Sequence, residues 1–124
     1  MIVATAPGRC GIVGNPTDIY GGSVISITTP ARARCELIPG GPLAVRSSDE
    51  EATFAVPADL AKRGDKLDAA RGALSYFEID PAGAKFSLTL TTDIPMRAGM
   101  AGSTALVVAL VGALDRYLGL RLHP

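Results

Sequence analysis

A glycine-rich turn followed by two hydroxyl residues lies in the second half of the chain. Residues 93–105, here called the glycine segment, read Asp-Ile-Pro-Met-Arg-Ala-Gly-Met-Ala-Gly-Ser-Thr-Ala. Glycine lets the backbone approach an anion closely, and the first N–H groups of a helix have no acceptor inside the helix. An alternating strand pattern precedes this segment and a long apolar helix pattern follows it. The segment therefore predicts an anion site, specifically for phosphate, at the start of a helix.

The glycine segment differs from a Walker A loop because no lysine precedes Ser103. A phosphate held here would depend on backbone amides, on the hydroxyls of Ser103 and Thr104, and on a magnesium ion bound to one of them. A serine or threonine that only caps a helix gives the same local pattern. Taken alone, the segment leaves both interpretations open.

A second cluster of turn residues and polar side chains lies near the N-terminus. Residues 6–22 read Ala-Pro-Gly-Arg-Cys-Gly-Ile-Val-Gly-Asn-Pro-Thr-Asp-Ile-Tyr-Gly-Gly, with Arg9 before a short strand and Asp18 after it. Asn15, Thr17 and Asp18 place hydrogen-bonding groups on a tight turn, where they suit sugar-like hydroxyls. An Asn-Pro-Thr-Asp turn is also common without any ligand, so this alternative stays open.

The hydropathy pattern predicts a mixture of short strands and two helices. Strands are expected at 1–5, 9–13, 23–28, 31–38, 43–46, 52–56 and 85–93, with breaks at Ala6-Pro7-Gly8 and at Pro30. A helix is expected at 65–77, capped by Asp65 with Asp68 in its first turn. A second helix is expected at 103–118. Because that helix is apolar nearly all round, it predicts a central, buried element with a buried N-terminus.

Composition argues against a nucleic-acid-binding protein, a metal site at the cysteines and a membrane protein. The chain has 124 residues, enough for one domain, and its formal net charge of zero gives no reason to expect nucleic acid. Cys10 and Cys35 lie in strand-like runs and are expected to be buried, reduced thiols, since the sole histidine, His123, is remote. No signal peptide or membrane span is visible, which favours a cytoplasmic protein without a membrane partner.

Two groups of charged residues have simpler explanations than a site. Arg32 and Arg34 alternate with apolar residues along a predicted strand, and this spacing is typical of a solvated strand face. The adjacent acids 49–51 lie in a predicted loop, where neighbouring side chains rarely converge on one cation. Both groups are therefore interpreted as solvent-exposed surface residues without a binding role.

Together, in this order and at this separation, the two motifs resemble those of the GHMP kinases (galactokinase, homoserine kinase, mevalonate kinase and phosphomevalonate kinase). Their first motif is similar to 7–22. Their second, Pro-x-x-x-Gly-Leu-x-Ser-Ser-Ala with an optional extra residue, is similar to 95–105, with Met100 for Leu and Thr104 for the second Ser. The resemblance implies an α+β fold of the ribosomal protein S5 domain 2 type, which has an antiparallel-rich sheet, a left-handed βαβ unit and helices on one face.

The resemblance also implies roles for individual residues. It assigns the ATP phosphates to Pro95, Gly99, Met100, Ala101, Gly102, Ser103 and Thr104, with Mg²⁺ near the hydroxyls of Ser103 and Thr104. It assigns the acceptor pocket to Asn15, Thr17, Asp18, Tyr20, Gly21 and Gly22. Arg9 matches a catalytic arginine placed near the transferred phosphate.

The acceptor implied by the resemblance is a sugar or a sugar acid. Asn15-Pro16 stands where galactokinase has Glu-His, which argues against galactose, and 14–22 is most similar to the glucuronokinase type. An uronic acid needs a cationic partner, for which Arg9, Arg32, Arg34 and Arg97 are all candidates.

The family's catalytic aspartate, magnesium-binding acid and third motif normally follow the second motif. Residues 1–124 are therefore expected to be a truncated N-terminal, ATP- and acceptor-binding domain that lacks the C-terminal domain and is inactive alone. Two alternatives remain: a mevalonate-pathway enzyme of the same superfamily, either a kinase or a decarboxylase acting on a phosphorylated mevalonate, and a non-catalytic ligand-binding protein on the same fold.

Overall fold

Five strands form one sheet in the computed structural model of the chain, which describes residues 1–122. The strands are β1 (Ile2–Val13), β2 (Ile25–Pro39), β3 (Ala44–Ser47), β4 (Glu50–Thr53) and β5 (Phe86–Thr92). Their order in the sheet is β1-β2-β5-β3-β4, and every neighbouring pair is antiparallel except β3 with β5, which is parallel. The predicted α+β class with an antiparallel-rich sheet is confirmed.

Two α-helices cover one face of the sheet: α1 (Asp68–Tyr76) and α2 (Gly102–Leu118). Helix α2 packs on β1 and β2, and α1 packs on α2. Alternate residues of the two central strands enter the shared core, namely Ala33, Cys35 and Leu37 on β2 and Phe86, Leu88 and Leu90 on β5. On the opposite face the Arg34 guanidinium pairs with the Glu36 carboxylate, with Nε 2.8 Å from Oε1, as expected for a solvated strand face.

The predicted breaks at Ala6-Pro7-Gly8 and at Pro30 are wrong, because β1 and β2 run through both positions. Pro7 lies on an edge strand, where a missing N–H is tolerated. Pro7 is opposite Arg32 and Arg9 is opposite Thr28, so residues 29–31 bulge out against Gly8 alone. Pro30 is therefore accommodated in a bulge, where no regular ladder bond is lost.

Helix α1 begins three residues later than the predicted position, and Asp65 does not cap it. The Asp65 carboxylate instead accepts the Leu67 N–H at 2.9 Å, and the Asp68 carboxylate accepts the Arg63 N–H at 2.9 Å. The guanidinium of Arg71, which is 2% exposed, hydrogen-bonds to both carboxylates. The predicted acid in the first turn, Asp68, is confirmed, while Asp65 lies before the helix and holds the preceding turn.

Helix α2 begins at Gly102 and is followed by Gly119, whose φ of 67° gives the left-handed end expected of a glycine C-cap. The prediction of a helix buried on all sides is wrong. Only one face is buried, lined by Ala105, Ala109, Leu110, Ala113 and Leu114, while Val108 is 55% exposed. Ser103 and Thr104 are also exposed, so the start of α2 is open to solvent rather than enclosed.

The acidic residues 49–51 are part of a hairpin rather than a free loop. Glu51 lies in β4 and pairs with Arg46 at 2.9 Å, and Asp49 pairs with Lys66. No group of three acidic, histidine or cysteine residues within 1–122 is arranged to hold a metal ion.

The two cysteines differ in burial. Cys35 is fully buried in the core, but Cys10 is only half-buried, so the prediction of two buried thiols holds for Cys35 alone. Neither cysteine is in a disulfide. Neither α1 nor α2 has the length and hydropathy of a membrane span. His123, which was discussed from the sequence, lies outside the described residues.

Candidate functional site

The glycine segment is anchored where β5 ends. The Asp93 N–H donates to the Arg32 carbonyl at 2.9 Å, which extends the β2–β5 pairing by one bond. The Ile94 N–H donates to the Thr92 hydroxyl at 3.0 Å, and the Ile94 side chain is 4% exposed in the core. The chain therefore leaves the sheet at a fixed point and delivers residues 95–101 to the start of α2.

Three residues of this loop have left-handed backbone conformations. Gly99 has a φ of 70°, which glycine adopts at no steric cost, but Arg97 and Ala101 also have φ values of 57° and 53°. A side chain in this conformation costs roughly 1–2 kcal/mol. Ala101 immediately precedes α2 and offers no side-chain cap. The helix thus starts without the polar cap that a structural helix end normally has.

Three backbone donors are consequently available at the start of α2. The first bond of the helix runs from the Ala105 N–H to the Ala101 carbonyl at 2.9 Å. Within residues 1–122, the N–H groups of Gly102, Ser103 and Thr104 have no protein acceptor. Such a helix start attracts anions through its free donors and its dipole.

Two of these donor residues, Gly102 and Ser103, line a cavity of about 430 Å³. Its walls are formed by Thr92, Ile94, Pro95, Met96, Arg97, Ala98, Gly99, Met100, Ala101, Gly102, Ser103 and Leu106. Arg97 is the one charged residue among them, and no carboxylate lines the cavity. Ser103 contributes to the wall, whereas its neighbour Thr104 does not. The cavity thus combines an apolar wall with a positively polarised end.

The first motif touches the glycine segment through the backbone. The Arg9 N–H donates to the Met100 carbonyl at 2.9 Å. The approach is close because Gly8 has no side chain. A Cβ on Gly8 would lie 2.6 Å from the Thr29 hydroxyl oxygen and 3.1 Å from the Met100 carbonyl oxygen. Gly8 was not singled out from the sequence, although a glycine inside a strand is itself a sign of close backbone approach.

The side chain of Arg9 follows the β1–β2 ribbon. Its Nη1 donates to the Ser26 hydroxyl at 3.1 Å, and Arg9 is not part of the cavity wall. Arg32 is similarly held on the sheet, where its Nε donates to the Thr5 hydroxyl at 3.0 Å. The structure therefore joins the two motifs at their backbones and not through the Arg9 guanidinium.

The predicted acceptor residues form the end of the β1–β2 ribbon. The Thr17 hydroxyl donates to the Gly14 carbonyl and lies 3.3 Å from the Ser23 carbonyl. A Cβ on Gly22 would lie 2.7 Å from Thr17, and Gly21 has a φ of 79°. Thr17, Gly21 and Gly22 thus build the turn itself.

The remaining acceptor residues are accessible. Asn15, Asp18 and Tyr20 are exposed, with Tyr20 at 88%, and none lines the cavity at α2. The Asn15 amide lies against Gly11, where a Cβ would come within 2.0 Å of Nδ2. Within the described chain, the Asp18 carboxylate and the Tyr20 hydroxyl have no hydrogen-bond partner. These side chains can therefore meet a ligand without breaking an existing contact.

The donor set at the cavity fits a phosphate chain better than a metal ion alone. Free amides, a guanidinium and a hydroxyl all complement phosphate oxygens. Magnesium prefers oxygen ligands, and the residues on this cavity wall offer it the side-chain hydroxyls of Thr92 and Ser103 and no carboxylate. A magnesium ion would fit here with most of its ligands supplied by phosphates and water.

Comparison with known proteins shows what the chain is similar to. Residues 65–124 match the family described as GHMP kinases N terminal domain. A mevalonate kinase of Thermococcus gammatolerans is 29% identical over 98% of this chain and 40% of its own length. A galactokinase of Mycobacterium tuberculosis is 27% identical over 94% of this chain and 34% of its own. The chain thus spans about 40% of the length of the first of these relatives.

Solved structures show the same fold. A D-glycero-D-manno-heptose 1-phosphate kinase from Bacteriodes thetaiotaomicron superposes with a TM-score of 0.78 at 22% identity, covering 98% of this chain and 44% of the other. The phosphomevalonate kinase of Streptococcus pneumoniae superposes with a TM-score of 0.75 at 18% identity, covering 99% and 39%. At these identities, the likeness establishes the architecture.

Proposed function

We propose that the chain, which matches the GHMP kinase N-terminal domain family over residues 65–124, binds ATP and a small hydroxylated acceptor as the N-terminal domain of a phosphotransferase. The observation that carries the proposal is the uncapped start of α2. Three N–H groups there have no partner within residues 1–122, and two of them, those of Gly102 and Ser103, belong to residues that line a cavity whose single charged residue is Arg97. This arrangement favours a polyanion over a neutral ligand.

In this proposal the phosphate chain of ATP lies at the start of α2. The amides of Gly102, Ser103 and Thr104 donate to phosphate oxygens, and the Ser103 hydroxyl adds a further donor. Gly99 and Gly102 keep the backbone free of side chains on the approach. The proposal assigns Mg²⁺, which when bound neutralises phosphate charge, to the hydroxyl of Ser103 on the cavity wall and to that of its neighbour Thr104.

The acceptor in this proposal is a sugar or a sugar acid held by the end of the β1–β2 ribbon. Asn15, Asp18 and Tyr20 are the exposed groups that would hydrogen-bond to its hydroxyls, on a turn that Thr17 holds together. The bond from Arg9 to Met100 fixes this ribbon to the phosphate loop. The similarity of 14–22 to the glucuronokinase type favours an uronic acid.

We assign binding and positioning, but not the whole of catalysis, to this chain. Phosphoryl transfer needs charge neutralisation and a group that orients the attacking hydroxyl. No carboxylate lines the cavity, and the chain spans 40% of its first relative. The catalytic base and the magnesium-binding acid are accordingly assigned to a further domain of a longer protein. The chain alone is expected to show negligible turnover.

The test is a calorimetric titration of the 124-residue chain with ATP and Mg²⁺, followed by a phosphoryl-transfer assay with D-glucuronate, D-galactose and mevalonate. The expected result is ATP binding that weakens in the Ser103→Ala, Thr104→Ala double variant and survives in Asp18→Ala. Absence of ATP binding by the wild-type chain would overturn the proposal. Turnover near 1 per second, at the low end for kinases, would contradict the assignment of the catalytic base and the magnesium-binding acid to a further domain.

A further inference from the structure

Arg97 differs from the other three arginines that could bind an anionic ligand. The guanidinium groups of Arg9, Arg32 and Arg34 are hydrogen-bonded to Ser26, Thr5 and Glu36, respectively. Within residues 1–122, the Arg97 guanidinium has no hydrogen-bond or ion-pair partner. Arg97 is also the only one of the four that lines the cavity at α2. It is thus the cation best placed to meet a ligand there.

The backbone at Arg97 is unfavourable for the residue that occupies it. Its φ of 57° lies in the left-handed region, where glycine is unstrained and a side chain is not. Gly99, two residues further on, has a similar φ of 70° without that strain. An observed strained residue at a candidate site is grounds for a functional hypothesis. The Arg97 side chain is exposed, and no polar contact within the described chain offsets this backbone conformation.

We infer that Arg97 is a ligand-binding residue that holds an oxyanion in the cavity at α2. The inference rests on the proposed function and extends it, because the family motif as matched here prescribes no residue at this position. The shared chemistry is a phosphate or carboxylate oxygen accepting guanidinium hydrogen bonds beside the helix N–H groups. Two ligands can supply this oxyanion: the nucleotide through its phosphate chain, or the acceptor through its anionic group. The experiment below distinguishes between them.

The test compares Arg97→Gly and Arg97→Gln with the wild-type 124-residue chain. Glu78→Gly is the matched control, since Glu78 also has a left-handed φ, 54°, but does not line the cavity at α2. Binding of ATP, inorganic tripolyphosphate and D-glucuronate is measured by calorimetry at two salt concentrations, and thermal unfolding is followed separately. Both glycine variants relieve backbone strain, so Tm is expected to rise by about 2–5 °C in each.

The binding results separate a ligand role from a purely structural one. Loss of one guanidinium–oxyanion interaction is expected to weaken binding about 10-fold in both Arg97 variants, with a shallower salt dependence, and to leave Glu78→Gly unchanged. Weaker binding of ATP and tripolyphosphate supports the nucleotide as the source. Weaker binding of D-glucuronate alone supports the acceptor.

Two outcomes overturn the inference and are distinguishable. If the wild-type chain binds ATP and both Arg97 variants bind every probe equally well, Arg97 is not a ligand residue, although the proposed function stands. If the wild-type chain binds none of the three probes, the proposed function fails and this inference fails with it. Arg97→Gln keeps the strained backbone, so it still reports on the charge if Arg97→Gly rearranges the loop.

Discussion

The Arg9 N–H and the Met100 carbonyl, 2.9 Å apart, join the two motifs by one backbone hydrogen bond. Arg9 lies where β2 bulges away from β1, and Met100 lies two residues before α2. The sheet irregularity and the glycine segment are therefore parts of one contact. This contact sets the position of the loop whose free amides we assign to ATP.

The first prediction concerns Gly8, whose missing side chain permits this contact. In Gly8→Ala the new Cβ would lie 2.6 Å from the Thr29 hydroxyl oxygen and 3.1 Å from the Met100 carbonyl oxygen. The loop must shift, so we expect a loss of about 1–3 kcal/mol in the free energy of unfolding and weaker ATP binding. Urea unfolding and calorimetry measure the two effects.

Gly72→Ala is the control for that substitution. Gly72 lies in α1 with open space around the position of a Cβ. Alanine there should raise the free energy of unfolding by about 0.5–1 kcal/mol and leave ATP binding unchanged. An equal effect of the two substitutions would show that the Gly8 contact does not matter.

The second prediction separates the two hydroxyls at the start of α2. Ser103 lines the cavity and Thr104 does not. Ser103→Ala is therefore expected to weaken ATP binding by about 1 kcal/mol, the value of one hydrogen bond, and Thr104→Ala by less. Calorimetry in the presence and absence of Mg²⁺ checks the order. The reverse order would place the phosphate chain on the other side of the helix start.

The third prediction concerns the buried guanidinium of Arg71. Its hydrogen bond lowers the pKa of Asp65, and the Arg63 backbone N–H, with Arg71, lowers that of Asp68. Carboxylates with a lowered pKa stabilise the fold above their unfolded pKa of about 4, and this stability is lost as pH falls through the folded value. Arg71→Leu should destabilise the protein by about 2 kcal/mol at pH 7 and by less at pH 3.

Arg46→Leu provides the comparison for Arg71→Leu. Arg46 pairs with Glu51 at 2.9 Å, but both side chains are more than half exposed. Removing such a surface pair should change the free energy of unfolding by less than about 1 kcal/mol. Urea unfolding at pH 7 and pH 3 measures both variants, and a pH-independent effect of Arg71→Leu would refute the role given to the two acids.

The fourth prediction concerns the two thiols. Burial, with a smaller contribution from Glu36, raises the pKa of Cys35 to about 12. At pH 8 its thiolate fraction is therefore on the order of one in ten thousand. A disulfide reagent should label one thiol, Cys10, in the native protein and both thiols after denaturation. Rapid labelling of two native thiols would contradict the burial of Cys35.

Much of the architecture was predictable because its signals are local. Alternation along 85–93 identified β5, and the apolar run with Gly119 at its end identified α2. The breaks expected at Pro7 and Pro30 were wrong because tolerance of proline depends on strand order and bulges, which are properties of the sheet. The degree of burial of α2 was overestimated for a similar reason, since hydropathy does not reveal how many neighbours pack on a helix.

Some features of the candidate site were likewise predictable from local sequence, and others depend on contacts between distant residues. The glycine segment was identified from its own residues, but the absence of a cap at Ala101 and the free amides that follow require coordinates. The role of Gly8 depends on contacts with Thr29 and Met100, which are far from it in the chain. Arg97 could not be ranked above the other arginines until their hydrogen-bond partners were known.

The most direct test of the central claim is an NMR titration of the ¹⁵N-labelled chain with ATP and Mg²⁺. If the start of α2 holds the phosphate chain, the amide signals of Gly102, Ser103 and Thr104 will show the largest shifts and will saturate with the calorimetric affinity. Inorganic tripolyphosphate will move the same three signals. Saturable ATP binding that leaves these three amides unmoved would contradict the account.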